Sequence, residues 1–171
     1  MENKQEAALP QMQGQQQIQG SSDDKYELDL VVCSSLKDLK QPWKIISPYV
    51  KELADQSMGE YSPSDVAHAL LYGVAVLYMG WIKGDPRKFV GFMILRYEPR
   101  SVHVWQAYIL PEFRGTDAFD IGAKHLIEEI EAFDYRYITF SATKDIARRI
   151  AGMGFQPTFQ IWRKDLKPNG R

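Results

Sequence analysis

The chain has 171 residues, 44% of them hydrophobic and 12% aromatic, which suits one domain with a packed core. A formal net charge of −1, with Lys and Arg dispersed and no reading motif, argues against nucleic acid as a partner. Cys33 is the only cysteine, which excludes an internal disulfide and a Cys-rich zinc site; His68, His103 and His125 share no metal-ligand spacing, so no metal is expected.

Residues 1–24 are rich in glutamine, with glycine, serine and two closing aspartates. So little there can bury surface that a flexible arm is expected; the alternative is an arm that orders against a protein partner. It lacks the charged, then apolar, then small pattern of a secretory signal. Residues 26–34 read as a first strand, with Leu28, Leu30 and Val32 alternating against Asp29, Val31 and Cys33. Residues 42–56 read as a helix, since Ile45, Ile46, Tyr49, Val50 and Leu53 recur at helical spacing. Ser62-Pro63-Ser64-Asp65 marks the start of a second helix that Gly73 can end.

Residues 74–82 and 89–97 form a hairpin around Gly84-Asp85-Pro86-Arg87. The longest apolar run, 67–82, is broken by Gly73 and Gly80 and is too short to span a bilayer. A third strand of this group covers 102–110, a long helix 117–133, a strand 135–142, a helix 144–153 closed by Gly154, and a last strand 158–164. The order β-α-α-β-β-β-α-β-α-β predicts a mixed sheet with helices on its faces. The domain is expected over 25–167, with a short tail at 168–171.

Three motifs in this order resemble one family. Tyr108-Ile109-Leu110-Pro111-Glu112-Phe113-Arg114-Gly115 resembles its strand-to-helix signature. Val90-Gly91-Phe92 resembles the start of its third strand, and Gly154-Phe155 its second signature after a short helix. The family is the acyl-CoA N-acyltransferase (GNAT) superfamily. The resemblance covers about 140 residues from Tyr26 onward. It implies an α/β (α+β) fold with a mixed, mostly antiparallel central sheet and helices on both faces. It also implies acetyl-CoA or CoA as cofactor and a small-molecule or protein amine as acceptor, which attacks the thioester directly in a ternary complex.

The resemblance carries roles onto named residues. Ile109 and Leu110 end the strand that would hold the pantetheine arm, and the Ile109 N–H would polarise the thioester carbonyl. Arg114, Gly115, Thr116, Asp117, Ala118 and Phe119 form the turn that would take the pyrophosphate, since a loop opening a helix offers converging N–H donors. Gln106 and His103 are the candidates for relaying the amine proton, and Tyr108 for a proton donor.

The chain departs from the family pattern at four places. The later glycines of the phosphate loop are Asp117 and Phe119 here. Ile150 takes the place of the family's Tyr, Gln106 that of a carboxylate, and Thr143 that of an Asn. Side chains and carboxylates crowd and repel a pyrophosphate. The alternative is therefore a catalytically degenerate GNAT-fold interaction module. The chain is similar in style to GNAT-like proteins of tailed bacteriophages, which implies the host cytoplasm or a virion as its location. The enzyme reading likewise places it in the cytoplasm. Cys33 reads as a buried small hydrophobe and Arg148-Arg149 as a helix face.

Overall fold

The computed structural model describes residues 27–33, 36–57, 59–84, 86–133, 135–141 and 144–157. The expected arm over 1–24, the last strand over 158–164, the tail and Thr143 lie outside them. The chain divides into two compact units, Met1–Ser141 and Ala142–Arg171.

The first unit is built on a five-stranded sheet. Its strands are β1 (Leu28–Cys33), β2 (Ala75–Ile82), β3 (Lys88–Tyr97), β4 (Ser101–Ile109) and β5 (Tyr137–Phe140), lying side by side in chain order. Pairs β1–β2, β2–β3 and β3–β4 are antiparallel, and β4–β5 is parallel. The fold is thus the mixed, mostly antiparallel sheet that the sequence implied.

Alternation along the strands gives the sheet two apolar faces. On one, Leu77, Met79, Phe92, Ile94 and Tyr108 pack against α1 (Leu36–Gln56) and α2 (Pro63–Leu71). On the other, Leu28, Leu30, Leu95, Val102 and Val104 pack with Ala118, Ile121, Leu126 and Ile130 of α3 (Ala118–Glu131). Helices therefore cover both faces.

The helix α1 begins earlier than its sequence pattern suggested, at Leu36 instead of Pro42. Proline favours a first turn, so Pro42 reads as a start. Here Pro42 and Pro48 both lie inside the helix. The stripe Leu39, Trp43, Ile46, Val50 and Leu53, packed on the sheet, offsets the missing backbone bonds. The start of α2 follows the sequence. Ser62 caps it in a capping box with Asp65, and Pro63 is its first residue.

Two bulges shape the sheet. One lies at Gly80/Trp81. In the other, Ile94 pairs Gln106 while Leu95 pairs Val104, so Trp105 is the extra residue on β4. Cys33 is buried in the α1–α2 core, and burial followed by Asp38 pushes its thiol up to about 11. That agrees with its reading as a small hydrophobe. Among the described residues no helix is long and apolar enough to cross a membrane.

In the second unit, α4 (Lys144–Ala151) ends in turns. Gly154 adopts φ +90°, and the Phe155 N–H donates to the Ile150 carbonyl at 3.2 Å. A left-handed glycine after the helix is what the sequence placed there.

Candidate functional site

The strand β4 is paired on both sides only over its first half. β5 pairs with Ser101 to Val104, while β3 continues alongside to Ile109. From Trp105 onward, no described strand pairs with the β5 side of β4. The Leu110 N–H donates to the Val90 carbonyl at 2.9 Å, toward β3. By alternation, the N–H and C=O groups of Ala107 and Ile109 face the open side. The pairing stops where β5 ends, at Phe140 beside the bulge, and among the described residues Ala107 and Ile109 have no partner strand on that side, though the Ile109 carbonyl accepts from Arg114 Nε.

Those residues do not all meet. Trp105, Gln106 and Tyr108 lie on the α1–α2 face. Trp105 packs on that core, with the Arg96 guanidinium 3.4 Å from its ring centroid and Tyr61 edge-on at 5.5 Å. Gln106 shares its face with its cross-strand partner Ile94. It is only 4% exposed, and neither polar atom of its side chain has a hydrogen-bond partner. A buried amide left so costs stability, which marks it as an atom pair suited to a ligand or water.

Tyr108 stacks on Phe92, its ring lies 4.8 Å from that of Tyr49, and its hydroxyl donates to Glu52 Oε2 at 2.7 Å. Desolvation, then Glu52, raises its pKa, so the hydroxyl keeps its proton. Glu52 was not among the sequence candidates. Its only signal is local: it flanks the α1 stripe, three residues after Tyr49. Nothing in the sequence says that it faces Tyr108.

His103 lies nearer the paired end of β4. Its Nδ1 is 2.8 Å from Thr139 Oγ1, and its Nε2 is 3.3 Å from Ser141 Oγ. Burial lowers its pKa and Arg96 adds to this, against an opposing pull from Glu98. The ring is therefore neutral near pH 7, as a proton acceptor must be. Its side-chain partners Thr139 and Ser141 lie on β5 and just beyond, whereas the Tyr108 hydroxyl bonds to Glu52 on α1.

The turn after β4 starts as a 3-10 segment, Pro111–Phe113, with Glu112 exposed. Gly115 takes φ +86° with open space where a Cβ would stand, so a ligand can approach its backbone. Thr116 Oγ1 donates to the Phe113 carbonyl at 2.7 Å and accepts the Ala118 N–H at 3.3 Å. Asp117 precedes α3 without making a side-chain cap. Arg114 turns back over the strand. Its Nε donates to the Ile109 carbonyl at 3.1 Å, its Cζ lies 5.2 Å from the Tyr108 ring centroid, and Nη2 is 3.9 Å from Glu52 Oε1. On the α3 side of β4, a small apolar cavity of about 30 Å³ is lined by Gly91, Ala107, Ile109, Ala118, Phe119 and Gly122, among others.

These features fit an acyl-CoA in part. The edge of Ala107 and Ile109 suits an amide-bearing arm, and the cavity on the α3 side of β4 lies next to both residues. The turn offers Gly115 and a cation, while Asp117 and Asp120 oppose a phosphate.

No family model and no curated protein matches the chain. Solved structures match its fold. A probable acetyltransferase is 15% identical over 83% of this chain and 99% of its own, with a TM-score of 0.59. A predicted acetyltransferase from Clostridium acetobutylicum, solved with acetyl-CoA, is 12% identical over 81% of this chain and 96% of its own, with a TM-score of 0.56. An aminoglycoside N-acetyltransferase in complex with CoA is 15% identical over 83% of this chain and 97% of its own, with a TM-score of 0.50. At such identity the likeness is one of fold.

Proposed function

We propose that the chain is a GNAT-type N-acyltransferase that moves an acetyl group from acetyl-CoA to an amine by direct attack. The observation that carries this reading is the edge of β4 beyond Val104, which no described strand pairs, beside a bulge and ahead of a turn into a helix. Acetyl-CoA, when bound, supplies the acyl group already activated as a thioester.

The chain's own groups do the rest. The Ile109 N–H, on the open side, donates to the developing oxyanion. Leu110 closes the strand, and Arg114 with the backbone of Gly115 to Phe119 receives the phosphates. The buried Gln106 amide gains the partner it lacks, from ligand or water. His103, neutral and held by Thr139, accepts the amine proton through water. Tyr108, kept protonated, is the donor for the leaving thiolate. The carboxylate that holds Tyr108 comes from α1, so the acceptor amine enters along the α1 side.

Calorimetry with millimolar acetyl-CoA tests the reading. Saturable binding is expected, together with CoA release when primary amines are added. No binding at that concentration overturns it.

One observation favours a second reading. Thr116 already occupies the Ala118 N–H, and Arg114 is turned away from the turn. A GNAT-fold module that binds a protein partner instead of CoA would have such a closed turn. In that reading the 1–24 arm orders on the partner, as in a phage particle. Protease protection of the arm only in an assembled particle would support it, and equal cleavage in every preparation would count against it.

A further inference from the structure

The turn predicted to hold phosphate carries its cation on the wrong side for that task. We propose that Glu52 is a positioning residue that competes with the acyl carrier's diphosphate for Arg114. The proposal rests on the acyl-CoA reading and adds to it a residue from α1 that no sequence motif marks.

Three contacts keep Arg114 over β4: the Ile109 carbonyl, the Tyr108 ring and the Glu52 carboxylate. The carbonyl and the ring are neutral, so Glu52 supplies the charge that fixes the guanidinium there. Glu52 is itself fixed, because Oε2 accepts the Tyr108 hydroxyl at 2.7 Å and Oε1 accepts from Gln56 at 3.5 Å. The Arg114–Glu52 pair is half in solvent, with side chains 54% and 43% exposed, and long at 3.9 Å. Such a pair is weak. A diphosphate offers two charged groups in hydrogen-bonding geometry and outbids one distant carboxylate. The side chain then swings about the turn that begins at Arg114, with open space at Gly115.

The exchange has a direction. Removing the Glu52 charge frees Arg114, so cofactor binding tightens. A residue needed only for folding would weaken binding when changed, so the sign of the effect separates the two roles.

The experiment is a double-mutant cycle in acetyl-CoA affinity, read by calorimetry on wild type, Glu52→Gln, Arg114→Ala and the double variant. Circular dichroism and urea midpoints establish that each variant is folded. Glu52→Gln is expected to tighten Kd about two- to fivefold at low salt, and Arg114→Ala to weaken it about tenfold or more. In the Arg114→Ala background the gain from Glu52→Gln is expected to vanish. Unchanged or weaker binding by Glu52→Gln overturns the exchange while leaving the acyl-CoA reading intact. An equal gain in both backgrounds also overturns it, since that is a general charge effect. No binding by any of the four proteins overturns the acyl-CoA reading and the exchange together.

Discussion

Gly91 lies on β3 opposite Ile109, at the end of β4. A Cβ built there overlaps the Tyr108 carbonyl oxygen and stands 3.1 Å from the Ile109 Cα, both of them backbone atoms in a paired strand. Neither can move without breaking the ladder that holds the candidate site. Gly91→Ala is expected to destabilise the protein by about 3 kcal/mol, read as a lower urea midpoint at unchanged slope. Equal stability would mean that the strands separate there at no cost. In the sequence, Gly91 was legible only as a family-like glycine between Val90 and Phe92. The reason for the missing side chain, a neighbouring carbonyl, lies on another strand. Gln106 was legible as a polar residue on a central strand. Its lack of partners was not, because a bulge at Trp105 decides which face it takes.

Elements whose signals are local were readable in advance. The helix start at Ser62–Asp65, the β2–β3 hairpin and the glycine after α4 each depend on a few adjacent residues. The helix α1 was readable in its apolar stripe but not in its start, because two prolines contradict what tertiary packing supports. Pro48 is exposed and sits mid-helix, where it removes one backbone bond. Pro48→Ala is expected to stabilise the protein by roughly 1–3 kcal/mol, seen as a higher urea midpoint. A lower midpoint would show that α1 needs the bend proline imposes to seat Val50 and Leu53 on the sheet. The cluster Glu52–Tyr108–Arg114 was half legible. Tyr108 and Arg114 stand in one motif, and Glu52 joins them only because α1 crosses the strand that carries Tyr108.

At the scale of the whole molecule, the α3 face of the sheet buries an acid that neither the motifs nor the periodicity marked as interior. Glu129 sits on α3 with glutamates on both sides in the sequence, so it reads as part of a solvated face. It is 8% exposed instead. Its Oε1 accepts the Tyr78 hydroxyl at 3.1 Å, Tyr78 and Tyr97 share a hydrogen bond of 2.7 Å, and Glu129 Oε2 has no partner. Desolvation raises its pKa above the ordinary 4.5, and the Tyr78 hydrogen bond opposes that only in part. Its hydrogen-bond partner is Tyr78, which is bonded to Tyr97, and Tyr135 packs on Tyr97; buried His125 lies one turn before Glu129 on α3. Burial pushes Tyr78 and Tyr97 up as well, so they stay neutral across the useful range. An acid whose folded pKa lies above its unfolded one binds its proton more tightly when folded. Its contribution is therefore complete below about pH 4.5, the unfolded value, and is lost as pH rises through the folded value. Glu129→Gln removes the titration while keeping a carbonyl oxygen for Tyr78. Urea unfolding between pH 4.5 and 8 is expected to show wild type losing stability relative to Glu129→Gln as pH rises, with the curves running parallel once the folded pKa is passed. Curves parallel over the entire range would mean that Glu129 ionises in the folded chain as freely as in the unfolded one.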